Sequence, residues 1–211
     1  MFTGIIQELV KVASVSLYGG CARFEIVLRD VSDILIGESI CVNGVCLTVT
    51  AKVQSHVSFD LVEQTLKLTT LKNVRPSDKV NIERALKVSD RIGGHLVTGH
   101  IDGISKVLRK ENLPGRTYMW LLIPEGCQSL IVKRGSVAVD GVSLTVADIA
   151  KDDFAVALIP HTLENTTLGF REPGDEVNIE TDLIGKYVLR ALGMETLPKG
   201  ITEDWLKAKG F

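Results

Sequence analysis

The chain repeats itself. Gly44-Val45-Cys46-Leu47-Thr48-Val49 returns as Gly141-Val142-Ser143-Leu144-Thr145-Val146, an offset of 97 (44 to 141). At the same offset Thr65-Leu66 falls on Thr162-Leu163, Thr69-Thr70-Leu71 on Thr166-Thr167-Leu168, and Val80-Asn81-Ile82-Glu83 on Val177-Asn178-Ile179-Glu180. Between positions 37 and 83, 19 of 47 residues are identical without a gap. The starts match at an offset of 95, where Thr3-Gly4 and Ile6 mirror Thr98-Gly99 and Ile101, so a short indel separates the first parts of the two copies. A period this long is that of sibling domains, not of a stacked solenoid. The expected division is 1–86, 87–183 and a tail at 184–211.

Each copy reads as strands. Ser39-Ile40-Cys41-Val42 runs into Asn43-Gly44 and on into Cys46-Leu47-Thr48-Val49; the second copy has Asp140-Gly141 at the same place. Asn-Gly or Asp-Gly between β-branched runs signals a two-residue hairpin, because both turn positions need positive φ. Residues 57–61 and 154–158 are also strand-like, while 63–71 and 160–168 look like a helical turn followed by a loop. Short, evenly spaced strands in a unit under 100 residues predict a closed six-stranded barrel or a sandwich, since closure removes exposed edges. In the tail, Leu183, Ile184, Tyr187, Val188, Ala191 and Leu192 recur at helical spacing. That stripe is too long to leave in water, so burial against other subunits is expected, with packing on its own barrel as the alternative. Residues 193–211 read as a surface extension.

Composition narrows the function classes. Net charge is −2, which argues against a strongly basic nucleic-acid surface. No apolar run approaches the ~18–20 residues of a membrane span, and Met1-Phe2-Thr3-Gly4 shows no secretory signal pattern. Cys21, Cys41, Cys46 and Cys127 form no Cys-x-x-Cys pair, so a zinc or disulfide framework is a weak reading and a reducing compartment is expected.

The chemistry-bearing candidates lie in and around the duplicated motif. Cys46 and Ser143 follow equivalent turns, and Thr48 and Thr145 share their strand faces. Each pocket would thus present a polar pair, unless these groups only bond the barrel backbone. In Gly93-Gly94-His95-Leu96-Val97-Thr98-Gly99-His100, two histidines are available for proton transfer near neutral pH. Five residues apart, they do not suit a shared metal site, and one can be catalytic while the other is structural. Ile5 stands where His100 stands, and Ala85 where Asp182 stands. Asp182, at a strand-to-helix junction, can cap the helix, act in the site, or both. No nucleophile elbow or phosphate-binding glycine loop occurs. The residues alone point to two similar pockets, one with an extra acid/base set, binding two similar ligands at once.

The chain resembles the α-type riboflavin synthases over residues 1–192. The resemblance rests on Met1-Phe2-Thr3-Gly4-Ile5, the Asn43–Val49 and Val139–Val146 motifs, Gly93–His100, Thr166-Thr167-Leu168-Gly169 and Val177–Leu183, in order and duplicated. It implies a mainly β fold of two tandem six-stranded antiparallel barrels of the flavin-reductase-like type, with a C-terminal helix that builds a homotrimer. The implied reaction is dismutation of two 6,7-dimethyl-8-ribityllumazine molecules into riboflavin and 5-amino-6-ribitylaminouracil, with no metal or redox cofactor. Each site would lie between the first barrel of one subunit and the second barrel of its neighbour. Carried over position by position, the catalytic candidates are His100 for proton transfer, Ser143 with Thr145, Asp182 orienting Ser143, and Cys46. Substrate contacts are implied at Gly4, Ile5 and Ile6; Leu47 and Thr48; Asp60, Leu61, Val62, Glu63, Gln64 and Thr65; Gly99 and Ile101; Leu144; and Ile159, Pro160, His161, Thr162, Leu163 and Glu164. Arg134 is a further contact, though the family usually has Lys there, and the two cations differ in geometry. The resemblance implies a cytoplasmic protein and raises lumazine synthase as a further partner. Two other readings remain: a lumazine or flavin antenna protein that binds without turnover, and a hydrolase pairing Cys46 with His100.

Overall fold

A computed structural model describes residues 1–194; of the expected extension at 193–211, all but the first two residues lie outside them. The chain forms two closed antiparallel barrels of six strands each. The first contains β1 (Glu8–Tyr18), β2 (Cys21–Val27), β3 (Ser39–Val42), β4 (Val45–Val53), β5 (His56–Leu61) and β6 (Lys79–Arg84), closed in the order β1-β2-β5-β4-β3-β6. The second repeats that order with β7 (Gly103–Leu113), β8 (Arg116–Leu122), β9 (Ser136–Val139), β10 (Val142–Ile149), β11 (Asp153–Leu158) and β12 (Glu176–Thr181). Bulges recur at equivalent places, in β1 and β7 and again in β4 and β10. A bulge sharpens the local bend that a small barrel needs to close.

Alternation sets the cores. Along β4, Val45, Leu47 and Val49 point inward and join Phe24, Ile26, Val57, Phe59 and Ile82. Along β10, Val142, Leu144 and Val146 do the same beside Met119, Leu121, Phe154 and Val156. Each barrel therefore encloses its own apolar core. The helical turns α1 (Glu63–Leu68) and α2 (Pro160–Asn165) precede a short 3-10 turn in each copy, at Thr70–Asn73 and Thr167–Gly169.

A small third cluster of Phe2, Cys41, Val97 and Ala138 joins the barrels, and a buried polar lattice locks it. Asn43 and Asp140 adopt φ of +46° and +45°, followed by Gly44 and Gly141 at +82° and +80°. The two turns meet: a Cβ on Gly44 would lie 2.7 Å from the Gly141 nitrogen, and one on Gly141 would lie 2.7 Å from the Gly44 nitrogen. Glycine is needed there for conformation and for approach. Asn81 Nδ2 donates to the Asp140 carbonyl and Asn178 Nδ2 to the Asn43 carbonyl, at 2.9 and 2.8 Å. Their Oδ1 atoms accept from the Thr167 and Thr70 backbone N–H groups at 2.8 Å each. The duplicated Val-Asn-Ile-Glu thus carries the contact that relates the two copies as a pseudo-two-fold pair.

Helix α3 (Leu183–Ala191) leaves the second barrel, with the Asp182 carboxylate accepting from the Ile184 N–H at 2.9 Å as its N-cap. No residue of α3 is buried; Ile184, Tyr187, Val188 and Leu192 are exposed. Within one chain the helix does not pack its apolar stripe on its own barrel.

Candidate active site

The strand pleat turns Cys46 and Thr48 outward on β4, and Ser143 and Thr145 outward on β10. Thr48 and Thr145 are exposed, Cys46 and Ser143 partly so. These polar groups do not point into the barrels. Leu47 and Leu144 do, at 5% and 8% exposure, so only their peptide groups are available to a ligand.

The segment preceding each barrel crosses to the other. The Gly4 carbonyl accepts from the Ser143 N–H at 2.8 Å, and the Gly99 carbonyl from the Cys46 N–H at 2.9 Å. Both glycines have positive φ, +76° and +82°, and a Cβ on either would lie 2.6 or 2.5 Å from the Ser143 or Cys46 Cβ. Ile6 then packs on the second core and Ile101 on the first. So Gly4, Ile5 and Ile6 wall the Ser143 strand, while Gly99, His100 and Ile101 wall the Cys46 strand. His100 is exposed and, within one chain, lies along the Cys46 side. The acid/base set read as belonging to one copy is divided between the two pockets.

The histidine at Ser143 is His95. Its Nδ1 lies 2.7 Å from Ser143 Oγ, and its backbone N–H donates to the Thr3 carbonyl at 3.2 Å. Residues 93–102 form no strand beyond an isolated Phe2–Val97 bridge, so the two histidines are not placed on opposite faces of a strand, the geometry on which their spacing argues against a shared metal site. Gly94 permits the approach, since a Cβ there would sit 2.6 Å from Ser143 Oγ. Burial lowers the His95 pKa, against the opposing pull of Asp182 and then Glu180. A neutral imidazole can accept the Ser143 hydroxyl proton or donate to its oxygen, according to tautomer. Asp182 acts on His95 electrostatically while it caps α3; the hydrogen bond to Ser143 comes from His95.

The remaining candidates rim these strands. Val62 and Ile159, 58% and 56% exposed, precede α1 and α2 as N-caps. Pro160 starts α2, where its missing N–H costs nothing. Gln64, His161 and Glu164 are exposed, and Glu63 pairs with Lys67. Thr65 and Thr162 are partly exposed, and their carbonyls accept from the Thr69 and Thr166 hydroxyls. Leu163 packs on the second core and Leu61 lies within the first. Asp60 is taken up by Arg23, 2.9 Å away, and by the Tyr18 hydroxyl; Arg23 holds its carboxyl below the usual range. Arg134 is exposed at φ +67°, its N–H bonded to the Val146 carbonyl beside Thr145. Sequence reasoning gave no role to Glu83 and Glu180, which bind the crossing loops by accepting from the Thr3 and Thr98 N–H groups at 2.7 Å each; their repetition was the available signal.

Two barrels whose equivalent outward strand faces differ in chemistry, each walled by a loop from the other, define a duplicated-barrel protein. A model of the lumazine-binding domain matches residues 3–85 and again 98–182. Riboflavin synthase of Actinobacillus pleuropneumoniae is 39% identical over 217 residues, covering 100% of both chains. That of Bacillus subtilis is 38% identical at the same coverage, and that of Escherichia coli 41% identical over 86% of this chain and 87% of the relative. Among solved structures, LumP complexed with riboflavin superposes with a TM-score of 0.80 at 27% identity, covering 86% of this chain and 99% of that one. LumP complexed with 6,7-dimethyl-8-(1'-D-ribityl) lumazine gives 0.78 at 26% over the same shares. The chain belongs to the riboflavin synthase family, a family of transferases built on the duplicated lumazine-binding barrel.

Proposed function

We propose that this chain catalyses the dismutation of two 6,7-dimethyl-8-ribityllumazine molecules, moving a four-carbon unit from one to the other to give riboflavin and 5-amino-6-ribitylaminouracil. The observation that carries the reading is the pair of equivalent outward strand faces with unequal chemistry, Cys46 and Thr48 on one, Ser143 and Thr145 on the other. A reaction between two copies of one molecule, one donor and one acceptor, calls for such a pair. The lumazine C7 methyl is acidic because its anion delocalises into the ring, so one pocket must supply a base and the other an activated oxygen at C7. His100 is our candidate for the proton transfer. Ser143, held by His95, supplies or orients the oxygen with Thr145 beside it, and Asp182 tunes His95 by charge. Cys46 and Thr48 face the second ring. The Gly4–Ile6 and Gly99–Ile101 walls, with residues 60–65 and 159–164, read the pteridine edge and ribityl chain, and Arg134 lies at the rim. Juxtaposing the two rings supplies much of the rate by proximity.

The two outward faces of one chain lie on different barrels, so the reading places each reaction between the first barrel of one subunit and the second barrel of its neighbour in a homotrimer. The exposed stripe Ile184, Tyr187, Val188 and Leu192 supports that assembly. Truncation after Gly185 is expected to abolish the trimer in analytical ultracentrifugation. The same reading makes the protein cytoplasmic and a neighbour of lumazine synthase. The deciding test mixes the chain with 6,7-dimethyl-8-ribityllumazine alone and follows flavin absorbance. Riboflavin forming at one per two lumazines consumed supports the proposal. Lumazine that stays bound and unchanged overturns it in favour of the antenna reading.

A further inference from the structure

Two carboxylates are buried at the ends of equivalent strands, Glu83 on β6 at 3% exposure and Glu180 on β12 at 1%. Each is wrapped by three donors from the loop ahead of its own barrel. Glu83 Oε1 accepts from the Thr3 N–H and the Thr3 hydroxyl at 2.7 Å each, and its Oε2 accepts from the Gly4 N–H at 2.9 Å. Glu180 Oε1 accepts from the Thr98 N–H and hydroxyl at 2.7 and 2.6 Å, and its Oε2 from the Gly99 N–H at 2.9 Å. Burying a carboxylate costs free energy that only close charge-assisted bonds offset. A pattern reproduced in both copies to within 0.1 Å therefore specifies a geometry.

That geometry acts across the molecule. The peptide that each glutamate grips ends in a glycine whose carbonyl binds the N–H of Ser143 or Cys46 on the opposite barrel. We propose that Glu83 and Glu180 are crossed positioning residues: Glu83 of the first barrel sets the wall of the Ser143 pocket on the second, and Glu180 of the second sets the wall, with His100, of the Cys46 pocket on the first. The kinetic part of the inference rests on the proposed function; the placement does not.

Glutamine tests it at nearly constant shape. In Glu83→Gln the remaining Oε1 keeps both bonds to Thr3, but Nε2–H₂ faces the Gly4 N–H, donor against donor. The Gly4 segment must shift, and the Ser143 amide loses its acceptor. Amide hydrogen exchange of the full chain reads this directly. Glu83→Gln is expected to speed exchange at Ser143 about tenfold and leave Cys46 within about twofold; Glu180→Gln does the reverse. Turnover of 6,7-dimethyl-8-ribityllumazine at saturation falls about tenfold or more in both. Acceleration confined to the mutated barrel, equal at both amides, or absent overturns the crossing. Crossed exchange with unchanged turnover overturns the positioning role. If wild type does not turn over lumazine, the proposed function fails and exchange alone decides the placement. Should a glutamine variant fail to fold, Thr3→Val removes the hydroxyl bond to Glu83, and Thr98→Val removes that to Glu180 together with the 3.3 Å bond accepted from the His100 N–H; both are expected to show the same crossed pattern at about threefold.

Discussion

The two barrels agree in most of the polar groups that join them and differ where each faces its pocket or its outer end. Asn81 and Asn178, Gly44 and Gly141, Glu83 and Glu180 are identical; both asparagines bond the opposite turn's carbonyl, the glycines approach each other alike and the glutamates hold equivalent loops, while only Asn81 also donates to a threonine hydroxyl, that of Thr167 at 2.9 Å. Cys46 against Ser143, Ile5 against His100 and Ala85 against Asp182 differ. The outer mouths diverge too. A cavity of about 430 Å³ at the first is lined by Val15, Leu17, Ala22 and Phe24, whereas the corresponding 370 Å³ cavity of the second is lined by Lys110, Asn112 and Thr117. A polar bond across the pseudo-two-fold contact ties both copies, so its partners are kept together, whereas the apolar cluster there tolerates unlike pairs, Phe2 with Val97 and Cys41 with Ala138.

A polar difference also sits close to the axis. Asp140, fully buried, pairs with Arg171 at 2.7 Å and accepts from the Thr167 hydroxyl at 3.2 Å. The first copy has Asn43 and Val74 instead, and there the Thr70 hydroxyl is buried without a partner. Asp140→Asn should make the second turn resemble the first but strand the mostly buried Arg171 charge, costing about 2–3 kcal/mol in urea unfolding after allowance for the guanidinium's partial exposure. Adding Arg171→Val should restore most of that loss. If the double variant is no better than the single, the carboxylate has a role in the second barrel beyond its ion pair.

The next effect tests the inequality of the pockets. Ser143→Ala and His100→Gln are each expected to lower turnover about tenfold or more, while lumazine, followed by its fluorescence, still binds. Cys46→Ser makes the first pocket chemically like the second; a loss of about tenfold is expected if donor and acceptor roles are distinct. Wild-type turnover in Cys46→Ser would mean that thiol and hydroxyl are interchangeable there.

The smallest effect separates the barrels by pH. His95 binds its proton more weakly folded than unfolded, where its pKa is near 6.5. Its stabilising contribution is therefore complete above pH 6.5 and is lost as pH falls through 6.5 toward the folded value. Thermal melts from pH 7.5 to 5.5 should show wild type losing more stability than His95→Gln. Parallel curves would show that His95 titrates alike in both states.

Much of the barrel plan was legible because it is local. Asn-Gly and Asp-Gly turns, period-2 alternation and the helical turns at 63–71 and 160–168 depend on neighbours a few residues apart. The outward placement of Cys46, Thr48, Ser143 and Thr145 needed the knowledge that Leu47 and Leu144 take the inner face; alternation groups residues by face but does not name the buried one. The partners of Ser143 were not legible. His95 lies 48 positions away, and nothing in Gly93–His100 favours it over His100 until the loop's path is known.

What the sequence determined alone is the duplication, the strand-turn-strand grammar of each copy and the residue types at equivalent points, since all of these are written in short-range pattern and spacing. Only the tertiary structure decided that each leading loop crosses to the opposite barrel, that His95 meets Ser143 while His100 lies beside Cys46, and that Glu83 and Glu180 serve the pocket they do not belong to. The reason is physical: barrel closure and the pseudo-two-fold contact set these distances together, and a pair of residues 80 positions apart, as Thr3 and Glu83 are, carries no local trace of its partner.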